Sequence, residues 1–463
     1  MEQMKNQKNT VLIIVSFAVF IIPLMGISVN VALPSIGADL NVDAVLLNWI
    51  VTAFVMGSAI AVVPFGRVAD IYGRKKIFLM GASLCTLSCF GIIFVKTVIL
   101  LIIFRALQGV GMAMILGSSI AMLTSVFPAK ERGKAIGINV GAVYLGQTIA
   151  PLSGGLITQY FGWRAIFIFS VPLGLILVIL IIWKIKQEWN DARGETFDYR
   201  GSILYSLTLI CLIFGFSSLP SIPGIILLII SAAGFYLFIK LENNTVHPII
   251  NIALFKNNKA LTLSAASTFI NNGATFGVTL MMSLYLQYIQ GFSVKDAGFI
   301  LLVQPALQAI LSPLAGRIAT KHPPRVVASL GMAVSAVGLI ILIFFNQNTH
   351  VAYIILSSAI LGAGCAFFAS PNTTAIMGSV EKEYYGIASA TLATTRQVGM
   401  TFSMAIIALL FSLIIGKVQI TPEYYGLFLE SYKIILIVFT ILCIGGIVTS
   451  LAGVSRPAIS KNT

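Results

Sequence analysis

Two arginines stand where charged side chains are seldom tolerated. Arg105 lies in LIIFRALQGVG and Arg396 in TTRQVG, each within a long apolar run and each close to a glutamine, Gln108 and Gln397. A guanidinium keeps its proton in proteins. Holding a charge in hydrocarbon costs about 2.5–3.5 kcal/mol on insertion scales, so such a residue faces a cavity or a partner. Gln108, three positions beyond Arg105, shares its helical face. The chemistry on offer is the holding and release of charge. Bond-making is not expected: the chain has no HExxH stretch, no serine–histidine pair and no paired aspartates inside an apolar run, which argues against an enzyme.

Other polar or small positions recur inside the apolar runs. Gly146, Ala150 and Gly154 repeat every four residues, with Gln147 and Gly155 beside them. Such a stripe lets helices approach closely, and Pro151 removes one backbone hydrogen bond and kinks the helix. Asn30, Asn139, Asn271, Asn272, Gln304, Gln308 and Asn372 are amides in otherwise apolar surroundings, suited to line a cavity. Pro305 and Pro371 sit beside two of these groups, where local helix breaks would present backbone groups. The five cysteines (85, 89, 211, 365 and 443) all fall in apolar runs and read as small hydrophobes. Neither a disulfide, a metal site nor a cofactor is expected.

These residues need helices that cross a membrane. Of 463 residues 58% are hydrophobic and only 10% charged, and the mean hydropathy is +0.98. Soluble domains carry about 45–50% apolar and ~25% charged residues. Fourteen apolar runs can be read: 11–33, 45–65, 77–95, 98–118, 135–159, 165–183, 201–219, 222–241, 261–289, 297–319, 326–345, 351–375, 387–415 and 433–454. Runs of this length satisfy their backbone polar groups as helices. The first is too long for a signal peptide and reads as a retained span.

With the N-terminus inside, outer loops hold only Lys96, Arg164, Lys295, Lys417 and Lys433 of the 29 basic residues. Arg105 and Arg396 apart, the rest fall on the inner side, which puts both termini in the cytoplasm. The net charge of +14 is then a topology signal and not a nucleic-acid footprint. Trp163 with Arg164 reads as an interfacial anchor at an outer edge.

The densest charge cluster is GRVADIYGRKK at 66–76, in the turn between the second and third runs. Gly66 and Gly73 would let helix ends pass closely. Asp70, between Arg67 and Arg74, does nothing for orientation and so has another purpose. A shift of 250 residues lays GRVAD (66–70) on GRIAT (316–320) and Lys75 on Arg325. Runs one to six then correspond to runs nine to fourteen. The expected plan is a six-helix bundle over 1–190, a linker with two inserted transmembrane helices over 191–259, and a second six-helix bundle over 260–463. It is an all-α integral membrane protein, with a central cavity between halves that rock.

Several stretches, in order, resemble the major facilitator superfamily, specifically its fourteen-span drug:proton antiporter branch. GRVADIYGRKK is similar to the signature after span two, LIIFRALQGVG to the span-four motif and GQTIAPLSGG (146–155) to the antiporter signature of span five, with Ala150 where a glycine is usual. NVALP (30–34), GWRAIFIFSVPLG (162–174), FDYRG (197–201) and HPIINIALFKN (247–257) resemble stretches of the same branch. The resemblance implies a plasma-membrane secondary transporter that exports hydrophobic drugs or related small molecules in exchange for protons. It also implies that the loop residues Gly66, Arg67, Asp70, Gly73 and Arg74 latch the halves on the inner side. Relatives that export cationic drugs carry an acid five positions before the asparagine of NVALP, where this chain has Met25.

All fifteen acidic residues lie outside or at the rims of the runs, and His247, His322 and His350 lie in loops. An intramembrane acid or histidine usually marks a proton relay. Without one, a cavity holding two arginines favours a neutral, zwitterionic or anionic substrate over a lipophilic dication. Proton coupling would fall to Asp70, Asp39 or Asp43. The alternatives are an exporter dedicated to one neutral or anionic metabolite, or a carrier not coupled to protons. The expected partners are a small molecule, protons and the bilayer, with the protein a monomer.

Overall fold

The computed structural model of the chain describes residues 2–250, 252–380 and 385–452. Glu381, Glu383 and the tail cations Arg456 and Lys461 lie outside the described residues. Among those described there is no strand. The helices are α1 (Glu2–Gly26), α2 (Ser28–Leu40), α3 (Ala44–Tyr72), α4 (Arg74–Ile93), α5 (Val98–Val126), α6 (Ala129–Phe161), α7 (Arg164–Lys184), α8 (Tyr199–Ser217), α9 (Ile222–Glu242), α10 (Ile252–Asn257), α11 (Lys259–Leu284), α12 (Val294–Leu301), α13 (Val303–Lys321), α14 (Pro324–Ile343), α15 (Val351–Gly378), α16 (Tyr385–Leu410) and α17 (Tyr425–Ala452). Single π turns continue α11 to Ile289 and α16 to Ile415.

Helix starts carry the caps their sequences offer. Asp43 accepts from Leu46 N at 2.8 Å, Asp198 from Gly201 N at 2.8 Å and Asn258 from Leu261 N at 2.9 Å. Each such cap stabilises its helix by roughly 1 kcal/mol.

Among the described residues thirteen segments are long and apolar enough to cross a membrane, with α1–α2 and α12–α13 each counting as one. The sequence has fourteen such runs. The difference is α11, which at 26 residues is long enough but carries Ser264, Ser267, Thr268, Asn271, Asn272 and Thr275. Protein surrounds it, because α15, α16 and α17 all pack on it, so its polar groups meet helices instead of lipid. The other surface is inside-out by soluble standards. Phe90, Ile179, Ile229, Val337 and Val448 are exposed, while Ser58, Ser118, Ser335 and Ser403 are buried, as expected where the surrounding solvent is hydrocarbon.

Packing repeats along the chain. The pairs α4–α5, α3–α5, α4–α7, α1–α6 and α1–α7 recur as α14–α15, α13–α15, α14–α17, α11–α16 and α11–α17. A side chain on Gly146 of α6 would strike the Phe20 carbonyl of α1, and one on Gly399 of α16 would strike the Phe269 carbonyl of α11. Helices α8 and α9 pair with each other, and α8 lies across both α3 and α16. Tyr205 donates to Ala59 O at 3.0 Å and Ser206 to Ile60 O at 3.1 Å, and Phe216 meets Phe402 edge-on.

Candidate functional site

Helix α6 divides into two halves by what its glycines touch. Cβ atoms on Gly146, Gly154 and Gly155 would collide with Phe20, Ser28 and Val294 respectively, all backbone, whereas Gly133, Gly137 and Gly141 face open space. The stripe expected from the sequence is shared between two partners. Gly146 and Gly154 face α1 and α2, and Ser28 Oγ donates to Ala150 O at 2.8 Å. Gly155 faces α12, where a Cβ on Gly298 would lie 2.6 Å from Pro151 O. Gln147 is half-buried beside them.

The same end of the molecule, which carries Asp43, holds nearly all the polar contacts between α1–α7 and α11–α17. Ser283 donates to Asn30 O at 2.7 Å, Gln287 to Val31 O at 2.9 Å, Asn48 to Met404 O at 3.1 Å, and Ala44 N to Val418 O at 3.0 Å. Near mid-height Gln397 Nε2 donates to Ser58 Oγ at 2.5 Å. Among the described residues no hydrogen bond or ion pair joins these two sets of helices at the opposite end, which carries Asp70. There a side chain on Gly66 would meet nothing within 4 Å.

Arg105 is fully buried. Its Nη1 donates to Gln108 Oε1 at 2.5 Å and to Met25 O at 3.1 Å, its Nε donates to Ile50 O at 3.2 Å, and its carbon lies 4.2 Å from the Phe54 ring centre. Met25 precedes the break between α1 and α2 at Ile27, so the arginine takes up a carbonyl at a helix C-terminus, where a cation is favoured. Gln108 Nε2 reaches Cys89 Sγ at 3.0 Å, and Cys85 Sγ donates to Gln108 O at 3.4 Å. Every acceptor around the guanidinium is uncharged, and Nη2 has none.

Arg396 differs. It is half-buried and makes no hydrogen bond, ion pair or ring contact with any described residue. It does not meet Arg105. Of the amides, Asn272 donates to Thr268 O at 2.8 Å and Asn372 to Thr268 Oγ1 at 2.7 Å, so these two converge. Asn30, Asn139 and Asn271 are buried, and Asn30 Oδ1, Asn139 Nδ2 and Asn271 Nδ2 lack partners. Gln304 presents its backbone carbonyl to Gly362, and Gln308 O accepts from Ser312. The helix break expected at Pro305 falls at Leu302, between α12 and α13, while α15 runs unbroken through Pro371 because the ring fits within a long, well-packed helix.

The 66–76 loop is tied to the linker that follows α7. Arg74 pairs with Asp70 at 2.7 Å and Asp191 at 2.8 Å and reaches Ser125 Oγ at 2.5 Å, while Arg67 pairs with Glu195, which also meets His247 at 2.8 Å. Ala192 N donates to Asp70 O at 3.1 Å. Gly73, at φ +123°, faces the Glu188 carboxylate, which accepts from Lys75 N at 2.8 Å.

Trp163 is buried, not a lipid-facing anchor. Its Nε1 donates to Asp39 at 3.1 Å and Arg164 lies 4.2 Å over its ring, because Asp39 draws both groups inward. Asp39 also pairs with Arg164 at 2.7 Å. With Asp43 capping α3, all three acids expected to carry protons are already engaged.

One acidic site escaped the sequence reading. Asp198 Oδ2 and Glu242 Oε1 are both buried without a partner, and both reach the space a Cβ on Gly201 would fill. Glu242 Oε2 accepts from Ile250 N at 2.8 Å. A proton on Glu242 Oε1 would let it donate to Asp198 Oδ2 and leave neither oxygen bare. The signal was present in FDYRG and HPII, which flank the inserted hairpin and must meet when it folds back.

The family model described as Major Facilitator Superfamily matches residues 15–239 and 264–463. A multidrug resistance protein of Mycobacterium tuberculosis is 30% identical over 411 residues, covering 87% of this chain and 76% of that one. A riboflavin transporter of Clostridioides difficile is 28% identical over 413 residues, covering 88% and 89%. A tetracenomycin C resistance and export protein of Streptomyces glaucescens is 26% identical over 420 residues, covering 88% and 76%.

Proposed function

The chain belongs to the major facilitator superfamily, and from that membership we propose that this multi-pass secondary transporter exports hydrophobic compounds, drugs among them, across the plasma membrane. The names of the multidrug resistance and tetracenomycin relatives support the substrate class. Residues 1–190 and 260–463 act as the two rocking bodies, and residues 191–259 form the insert that bridges them. Both termini lie in the cytoplasm, so the Asp43 end faces out. A proton gradient drives the cycle, and the monomer is the working unit.

The observation that carries this reading is the division of α6. On the face that carries Gly155, α6 touches α12 of the other body at the outer end, while Gly133, Gly137 and Gly141 on that face meet open space at the inner end, as expected of a carrier captured open to the cytoplasm. The loop with Asp70 and Arg74 then rests on the linker in this state and engages the other half when the inner side closes. A carrier dedicated to one compound is the second reading, favoured by the riboflavin transporter relative.

Energised, inside-out membrane vesicles test it against a chemically diverse panel, with and without a protonophore. Uptake of several unrelated hydrophobic compounds that the protonophore abolishes is expected. Uptake of one compound only favours the second reading, and no uptake beyond protein-free vesicles rules out export.

A further inference from the structure

Arg396 is a half-buried cation with no partner among the described residues. Three sides of α16 are taken. Gly399 lies against the Phe269 carbonyl of α11, and Gly277 N donates to Ser403 Oγ at 3.0 Å. On another side Gln397 and the Met404 carbonyl face α3 through Ser58 and Asn48. On the third, Val398, Thr401 and Ala405 line a small apolar gap with Leu209 and Leu212 of α8. At about 100° per residue, Arg396 lies roughly 60° from Gly399 and roughly 100° from Gln397. Ser403, seven residues on, lies roughly 20° away, so Arg396 sits at the edge of the α11 side nearest α3, two turns closer to the end that carries Asp70, where among the described residues no hydrogen bond or ion pair joins the two bodies. The lipid side is not available to it, because α8 covers the back of α16.

Among the described residues no acid reaches it from the surrounding helices: Asp198, at the start of α8, faces Glu242, and α8 packs on the side of α16 opposite Arg396. The 259–289 run of α11 and its π turn contains no aspartate or glutamate, and neither does α5. On α3 the only acid is Asp70, twelve positions from Ser58 and so roughly 18 Å along the helix. On its own side, α16 starts at Tyr385, roughly 16 Å from Arg396, and Glu383 precedes that start. Arg67, Arg74 and Arg164 have carboxylates and Arg105 is sealed among carbonyls; Arg193, Arg200, Arg317 and Arg325 make no ion pair among the described residues either, but they lie in a loop or near a helix end, whereas Arg396 lies well inside α16.

Building on the export reading, the geometry points to Arg396 as the docking cation for an acidic group, so that the exported molecule is a hydrophobic organic anion carrying a carboxylate. The planar guanidinium fork matches a carboxylate with two parallel hydrogen bonds. A cationic substrate would meet like charge there.

The test uses a matched pair of probes, a fluorescent hydrophobic carboxylic acid and its uncharged methyl ester, in proteoliposomes containing the full chain, Arg396→Gln or Arg396→Lys. Wild type should move both. Arg396→Gln should lower transport of the acid by about tenfold or more and leave the ester nearly unchanged. Arg396→Lys, which keeps a point charge but loses the fork, should raise KM for the acid alone. If the glutamine variant loses both probes, the lysine variant decides: a raised KM restricted to the acid sustains the assignment. Equal effects on acid and ester in both variants overturn it, as does an acid that wild type moves no faster than protein-free liposomes while the ester is transported. Transport of neither probe, nor of any other hydrophobic compound, overturns the export reading and this inference together.

Discussion

Gly155 of α6 and Gly298 of α12 meet backbone to backbone, and a Cβ on either would lie 3.2 Å from the other's Cα. These two positions join the bodies at the outer end. Overpacking such a contact costs about 1–3 kcal/mol, borne only by the state in which the helices touch. Gly298→Leu should therefore deplete the inward-open state by about tenfold or more and lower transport to match, while Gly141→Leu, in open space, leaves that state populated. Cysteine labelling of the cytoplasmic cleft reads the populations. Equal labelling of Gly298→Leu and wild type would count against the contact.

Arg105 holds three helices together through uncharged acceptors. Arg105→Gln cannot span from Gln108 to the Met25 and Ile50 carbonyls, and it leaves buried acceptors bare at about 1–3 kcal/mol each. Thermal unfolding in detergent should shift down by several degrees, with transport impaired for charged and neutral substrates alike. An unchanged unfolding temperature would show that the polar centre adds no stability.

The ion pairs of Arg67 with Glu195 and Arg74 with Asp191 hold the loop on the linker. They are part-exposed, so each contributes no more than about 1 kcal/mol. Glu195→Gln with Asp191→Asn should release the loop and shift the balance toward the outward-open state by a few-fold. Spin-label distances across the inner end should shorten, and an unchanged distribution argues against a competing hold.

If Asp198 and Glu242 share one proton, Glu242→Gln keeps the hydrogen bond, since its amide can donate to Asp198, and stability should match or exceed wild type. Glu242→Ala leaves Ile250 N and Asp198 without their partner and should cost about 1–3 kcal/mol. Denaturation midpoints compare the two variants. A glutamine variant as damaged as the alanine one would contradict a shared proton.

Much of the fold was legible because hydrocarbon demands long apolar runs. The i, i+3 spacing of Arg105 and Gln108 also showed that they would meet. Neither signal reaches across the chain. The acceptors of Arg105 include the Met25 carbonyl, freed only by a break at Ile27 that Pro23 and Gly26 leave implicit. Glu195 and Asp191 look like ordinary linker charges until the linker folds back onto Arg67 and Arg74. Hydropathy also understates how enclosed α11 is, since its serines, threonines and asparagines face other helices. The two intramembrane arginines read alike in sequence, yet packing seals one and leaves the other open.

The most direct measurement is a reversible clamp at the outer end. Ala44 N and Val418 O are 3.0 Å apart, which brings the two residues within the span a disulfide can bridge. In the Ala44→Cys/Val418→Cys protein, oxidation should stop transport and a reductant should restore it, with each single variant unaffected. Transport at the wild-type rate while the disulfide is closed would contradict a cycle in which the two bodies part at that end.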